Sequence, residues 1–272
     1  MLIAGLDGAR LIPKIRRIMS DKTPYDETIE HGADPIRHDP QTLRRLLTHE
    51  RFPRSNAYDP EWVMRNEMGP NVLWLTEALT DRMDLQPGMR VLDMGCGRGL
   101  SSVFLVKEYG ARVWANDLWV KPDDIWSVAR DAGVEDRVCP IRAEARQLPY
   151  APGFFDAIVC VDSYGYYGTD DLYLGYIARF LRPGGQLGVI LAGLTEELDG
   201  PPPAHLTRPQ ENGNVFWDPS ECVCFHSTAW WQRHFAQPGL VDVEVAEDLE
   251  QGCALWLQWE RARNGGGYSS FP

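Results

Sequence analysis

Residues 91–99 read Val-Leu-Asp-Met-Gly-Cys-Gly-Arg-Gly, and this run restricts the chain to a narrow group of folds. Arg90 to Asp93, with its Val-Leu centre, reads as a buried strand, and Leu100 to Tyr109 reads as a helix. Between them, glycines at 95, 97 and 99 let the backbone take positive φ and approach a ligand without Cβ atoms in the way. A strand, glycine loop and helix in this order point backbone N–H groups into the crevice beyond the strand ends, where open α/β sheets bind ligands.

The loop also discriminates between ligands. A dinucleotide fingerprint requires G-x-G-x-x-G, but here Gly95-x-Gly97-x-x is followed by Leu100. Asp93 faces the place a pyrophosphate would occupy and would repel it. The same acid suits a ligand with a cationic amino-acid end and no phosphate. S-adenosylmethionine has an ammonium, a sulfonium and a ribose diol, so the loop favours that cofactor.

Further segments fall in register with this reading. Arg112 to Asn116 is a second strand candidate, ending at Asp117, a carboxylate placed to chelate two ribose hydroxyls; Leu118 and Trp119 follow as apolar faces for an adenine. Val138 to Arg142 is a third strand, followed by Glu144-Ala145 and Leu148-Pro149-Tyr150. Phe155 to Val161 is a nearly continuous apolar run, the mark of a strand covered on both faces. Leu181-Arg182-Pro183-Gly184-Gly185 is a helix stop and turn leading into a strand from Gln186 to Leu191.

These pieces, in this order and spacing, resemble the class I S-adenosylmethionine-dependent methyltransferases of the small-molecule kind, over about residues 88–192. The resemblance implies a Rossmann-like α/β fold: a seven-stranded, mostly parallel sheet with helices on both faces and an N-terminal helical lid. It implies that Asp93, Gly95 and Gly97, with Cys96 between them in the loop, hold the methionine end of the cofactor. Asp117 would take the ribose hydroxyls, and Leu118 would lie on the adenine. Glu144, where the family usually has Asp, would accept from the adenine amino group with the Ala145 N–H nearby. Val161 and Asp162 would face the methionine ammonium or the substrate.

Methyl transfer is an in-line displacement, so the protein must align the nucleophile, exclude water and remove a proton where one is in the way. No triad or metal is required, and none is expected. Polar groups after the fourth and fifth strands are the candidates: Asp162 and Tyr164 in Asp162-Ser163-Tyr164-Gly165-Tyr166-Tyr167-Gly168, and His226 in the cluster Phe225-His226-Ser227-x-x-Trp230-Trp231-x-x-His234. Histidine suits proton removal near neutrality, although histidines beside tryptophans also serve as packing or capping residues. Tyr166 and Trp230 are candidate aromatic contacts for the acceptor. Tyr58, Trp62, Met68 and Asn71 are lid candidates, with Tyr58 also expected at the substrate, against the plainer alternative that each packs on the sheet.

Organisation follows from punctuation and charge. Residues 1–86 read as an N-terminal arm and helical lid, broken at Gly69-Pro70; 87–262 as the cofactor-binding domain, with a substrate-side insertion at 193–228; and 263–272 as a flexible tail. Within this scheme Met1 to Met19 reads as a short amphipathic helix whose Leu11, Ile12, Ile15 and Ile18 could wrap a second subunit, giving a homodimer. Thr228 to Ala236 is read as a helix, and Val241 to Ala246 and Ala254 to Trp259 as an antiparallel strand pair.

A net charge of -12 over 272 residues weighs against a nucleic-acid substrate, because phosphate binding relies on Lys/Arg surfaces. No apolar run is long enough for a membrane span, and the N-terminal charge order is wrong for a secretion signal. The six cysteines fit a reducing cytoplasm; Cys222-x-Cys224 lacks the spacing and second pair of a zinc site. The expected acceptor is a small molecule, a specialised metabolite with an amine, phenol or aromatic ring. Two alternatives use the same cofactor site: an enzyme that cyclises or cleaves the cofactor without methyl transfer, and a non-catalytic cofactor-binding scaffold.

Overall fold

The computed structural model describes residues 1–5, 38–198, 200–209, 215, 217 and 222–264. Seven strands form one sheet: β1 (Leu2–Gly5), β2 (Arg90–Met94), β3 (Arg112–Asp117), β4 (Val138–Arg142), β5 (Phe155–Val161), β6 (Leu181–Ile190) and β7 (Asp242–Ala246). Their order is β4-β3-β2-β5-β6-β1-β7. The five from β4 to β6 pair in parallel, while β1 runs antiparallel to both β6 and β7. The strand order reverses between β2 and β5, which makes the crevice above their C-terminal ends the expected ligand site.

The helices are α1 (Pro40–Leu47), α2 (Pro60–Asn66), α3 (Val72–Thr80), α4 (Leu100–Tyr109), α5 (Pro122–Asp131), α6 (Gly165–Gly168), α7 (Tyr173–Ala178), α8 (Ala204–Thr207), α9 (Thr228–Ala236) and α10 (Gly252–Asn264). Side chains cap several of them. Asp39 accepts from the N–H groups of Gln41 and Thr42, Asp59 from that of Trp62, and Ser227 from that of Trp230, each satisfying an otherwise orphaned donor. Two apolar clusters cover the sheet. One joins α1 to α5 and α10 through Leu79, Phe104, Ile125 and Trp259; the other joins α7 and α9 through Tyr173, Ile177, Trp231 and Phe235. A sheet covered in this way explains why β5 is apolar almost throughout and why β2 is buried from Val91 to Met94.

Two ends of the chain depart from expectation. The segment Ala254–Trp259 is not a strand but lies within α10. Its buried residues are Leu255, Trp259 and Ala262, four and three apart, which is helical spacing that the local alternation masked. The antiparallel partner of β7 is instead β1, at positions read from sequence as part of a helix. Ladder bonds to β6 and β7 on either side override local periodicity there. The remainder of the arm, including Leu11, Ile12, Ile15 and Ile18, lies outside the described residues, as does the tail beyond Asn264. At the start of β6, the ladder jumps from Phe155↔Leu181 to Ala157↔Gln186, so the Pro183-Gly184-Gly185 turn bulges out within the strand.

Helix α10 also ties down the connection between α2 and α3. Trp259 Nε1 donates to the Gly69 carbonyl at 2.7 Å, and Arg263 pairs with Glu67 at 3.2 Å. That connection passes over the glycine loop.

Candidate active site

The glycine loop takes the backbone its sequence requires. Gly95 and Gly97 have φ of 72° and 55°, and a Cβ at Gly95 would lie 2.4 Å from the Ser163 Cβ. No other residue type fits there. Its N–H groups, however, are not free for an anion. Those of Gly95 and Cys96 donate to the Asn116 carbonyl, at 2.8 and 3.1 Å, and that of Gly97 donates to Asp117 Oδ2 at 2.9 Å. Asp117 Oδ1 accepts from the N–H groups of Trp119 and Val120. A carboxylate therefore occupies the loop's inner edge and takes up N–H groups that a phosphate would otherwise use.

Above this loop lies a cleft of about 360 Å³. Its walls include Gly95, Cys96, Gly97, Asp117, Leu118 and Trp119 on one side and Glu144, Ala145, Val161 and Asp162 on the other. The cofactor residues expected from sequence thus converge on one cavity, with one exception. Asp93 is fully buried beneath the loop, where its Oδ2 accepts from Ser101 and Ser102 at 2.6 Å each. Its Oδ1 is buried and has no hydrogen-bond partner among the described residues. Burial raises its pKa to about 6, against the pull of the two serines and with a further push from Asp117. Glu144 turns to its neighbour, accepting from the Arg146 N–H at 2.8 Å. Asn66, Ser163 and Tyr167, which sequence reading did not place at the cofactor, line the same cleft, as does the lid candidate Met68.

Asp162 stands at the end of β5 with φ of 54°, a left-handed conformation rare outside glycine and found where a site holds strain. Burial raises its pKa to about 6, partly offset by the Ala192 N–H at 3.4 Å. It lines the cofactor cleft and also a second cavity of about 430 Å³, and Pro70 is the other residue common to both. The two cavities thus meet at Asp162 under the α2–α3 connection. Trp74, Trp231, Trp256 and Trp259 wall the second cavity with Ile190 and Leu191, and His226 lies on its rim.

The remaining predicted residues divide. Tyr164, expected as a catalytic contact, lines neither cavity; its ring is wholly buried among Tyr167, Tyr173, Trp231 and Phe235. The left-handed turn at Asp162 sends that side chain into the cleft and Tyr164 into the core. Tyr58 also lies away from the cleft, stacked on Phe104 with its hydroxyl 3.1 Å from Glu108. Trp62 stacks on Tyr58 and shares its placement, whereas Met68 lines the cofactor cleft and Asn71 the second cavity. On α9, Trp231 rather than Trp230 faces the cavity; Trp230 is stacked between His226 and His234 at 3.7 and 4.6 Å. Tyr166 is exposed at the cleft mouth, edge-on to Trp119. Cys222 and Cys224 are buried thiols without a disulfide, and no cluster suited to a metal occurs among the described residues.

Fold and cleft together define an α/β protein with a nucleoside-type pocket at the strand-order reversal. Residues 91–185 match the methyltransferase domain family, and the chain carries a class I S-adenosylmethionine-dependent methyltransferase domain. It is 38% identical over 120 residues to methyltransferase GfsG of Streptomyces halstedii, covering 42% of each chain. It is 31% identical to the 27-O-demethylrifamycin SV methyltransferase of Amycolatopsis mediterranei, covering 65% of this chain and 62% of that one. The chain therefore spans less than two thirds of either relative. Phosphoethanolamine N-methyltransferase 2 of Haemonchus contortus, solved with S-adenosyl-L-methionine, shares the fold at a TM-score of 0.57 and 20% identity, over 84% of this chain and 50% of that one.

Proposed function

We propose that this protein transfers a methyl group from S-adenosylmethionine to a small-molecule acceptor. The observation that carries the reading is the Asp117 carboxylate on the Gly97 N–H, in a loop where the N–H groups of Gly95, Cys96 and Gly99 are also engaged. That arrangement takes the Gly95, Cys96 and Gly97 N–H groups away from a diphosphate and leaves a cationic nucleoside a carboxylate acceptor. Asp162, on the cleft wall, supplies a carboxylate beside which an ammonium or sulfonium would lie, and Asp93 adds negative charge from beneath the loop without reaching the cavity.

When bound, the cofactor supplies an electrophilic methyl carbon on a positively charged sulfur. Within this reading Gly95, Cys96 and Gly97 admit its methionine end close to the backbone, and Asp117 keeps acceptor capacity on Oδ2 for ribose hydroxyls. Leu118, Trp119, Glu144 and Ala145 surround the base, and Val161 and Asp162 face the acceptor side. The stretch from Asn66 to Val72 acts as the lid, since it forms the outer wall of the cleft and is pinned by α10. Residues 87–262, with β1 completing the sheet, form the catalytic domain.

A small-molecule acceptor, in the class of amines, phenols and aromatic rings, is supported by the tryptophan-walled second cavity and by the relative named for 27-O-demethylrifamycin SV. The net charge of -12 weighs against nucleic acid. No helix among the described residues is long and apolar enough to cross a membrane. Six cysteines without a disulfide are in keeping with a reducing, cytoplasmic setting. Incubation with radiolabelled S-adenosylmethionine and a panel of phenols, alcohols and amines tests the proposal. Label should move to an acceptor with S-adenosylhomocysteine as co-product. Methylthioadenosine as the only product would contradict methyl transfer and favour cofactor cleavage.

A further inference from the structure

The second cavity contains a feature that cofactor binding does not use. His226 sits on its rim, and His226 Nδ1 lies 2.7 Å from Glu197 Oε1. Glu197 is itself fixed, its Oε2 accepting from the Ser227 N–H at 2.8 Å and from the Ser227 hydroxyl at 2.9 Å. Burial works against the Glu197 charge, but the hydrogen bonds from Ser227 and His226 outweigh it and hold its carboxyl below the ordinary value. A carboxylate at Nδ1 places the ring proton there and leaves Nε2 as the basic nitrogen. No hydrogen bond is made by His226 Nε2 among the described residues. The Trp230 ring stacks on the imidazole at 3.7 Å and 8°, a geometry that also favours a positively charged ring.

The segment carrying Glu197 is built to hold this pair. The 193–228 insertion closes on itself through a parallel bridge from Leu194 to Ser227, with the Leu194 N–H on the His226 carbonyl at 3.1 Å. Other titratable groups around the pair are His234, on the far face of Trp230, and Asp162 and Asp248 on the cavity walls. Asp248 is engaged by the Thr228 hydroxyl.

We propose that the second cavity is the acceptor chamber, that it takes a bulky apolar molecule presenting a hydroxyl, and that His226, oriented by Glu197, removes the proton of that hydroxyl. The inference rests on the methyl-transfer reading and narrows it. A volume of about 430 Å³ lies in the range for ligands of several rings, and its tryptophan and aliphatic walls suit an uncharged skeleton. A neutral amine already has a free lone pair and needs no base; a hydroxyl does. In the step, the O–H bond breaks as an N–H bond forms at Nε2. The oxygen pair so freed bonds the methyl carbon while the carbon–sulfur pair stays on the departing neutral thioether. The positive charge passes to His226, beside the Glu197 carboxylate.

The test uses the full chain with 17β-oestradiol, an apolar polycycle with two hydroxyls, and with tryptamine, a flat cationic amine. Three readouts are taken on wild type, His226→Asn and Glu197→Gln. They are S-adenosylmethionine affinity by calorimetry, probe binding by quenching of the cavity tryptophans, and the kcat and KM of methyl transfer. The expected result is unchanged cofactor affinity in all three proteins, quenching by oestradiol and not by tryptamine, and oestradiol methylation reduced about 100-fold or more in His226→Asn. Glu197→Gln should lose about tenfold in turnover with little change in KM. Oestradiol that fails to bind, that binds without being methylated, or that is methylated equally by His226→Asn overturns the inference while the cofactor reading stands. Failure of wild type to bind S-adenosylmethionine overturns both.

Discussion

The residues with most leverage on ligand choice are three acids, and they do different work. Asp117 is already an acceptor for three backbone N–H groups, so replacing it with alanine would unfasten the loop as well as remove a ligand contact. Asp93 and Asp162 have fewer hydrogen-bond partners than Asp117, and desolvation lifts each to about 6. A carboxyl raised above its unfolded value stabilises the fold at low pH and loses that contribution as pH rises through about 6. A cationic ligand reverses the preference, because it binds best to the ionised forms. Affinity for S-adenosylmethionine should therefore rise between pH 5 and 7, by up to about tenfold per carboxylate that faces the ligand, and then level off. Calorimetry across that range checks it, with Asp162→Asn giving a shallower rise; an affinity independent of pH would remove both acids from the ligand's surroundings. Legibility at this scale was uneven. The loop glycines and Asp117 were readable because strand end, turn and helix are contiguous. Tyr164 and Trp230 were misplaced because a single left-handed residue, or one step around a helix, decides which neighbour faces the cavity.

Among the elements, α10 is the one that sequence misread and that the site depends on most. Alternation over Ala254 to Trp259 looked like a strand, but burial at 255, 259 and 262 follows the helical period. Trp259 is 1% exposed, walls the second cavity and holds the Gly69 carbonyl over the cofactor cleft. Trp259→Ala should cost about 3–5 kcal/mol of stability in urea unfolding. It should weaken cofactor binding too, since the lid loses its anchor. Trp256, 41% exposed on the same helix, should cost less than about 1 kcal/mol when replaced by alanine. Equal losses at the two positions would contradict this account of α10.

Taken whole, the molecule is legible from sequence where its contacts are local in order and opaque where they are not. The five parallel strands could be read in turn, because each is an apolar run punctuated by its own turn. The insertion of β1 between β6 and β7 could not, since four residues at one end of the chain pair with strands more than 180 positions away. Nor could the meeting of the two cavities at Asp162 and Pro70, which depends on α10 and the α2–α3 connection converging in space. The central claim is that the cleft over the glycine loop is shaped for a cationic sulfur nucleoside and closed to a diphosphate. Calorimetric titration of the whole protein with S-adenosylmethionine and, separately, with NAD tests it most directly. Saturable one-to-one binding of the first, with no heat from the second, is the predicted result; NAD binding at least as tightly would contradict it.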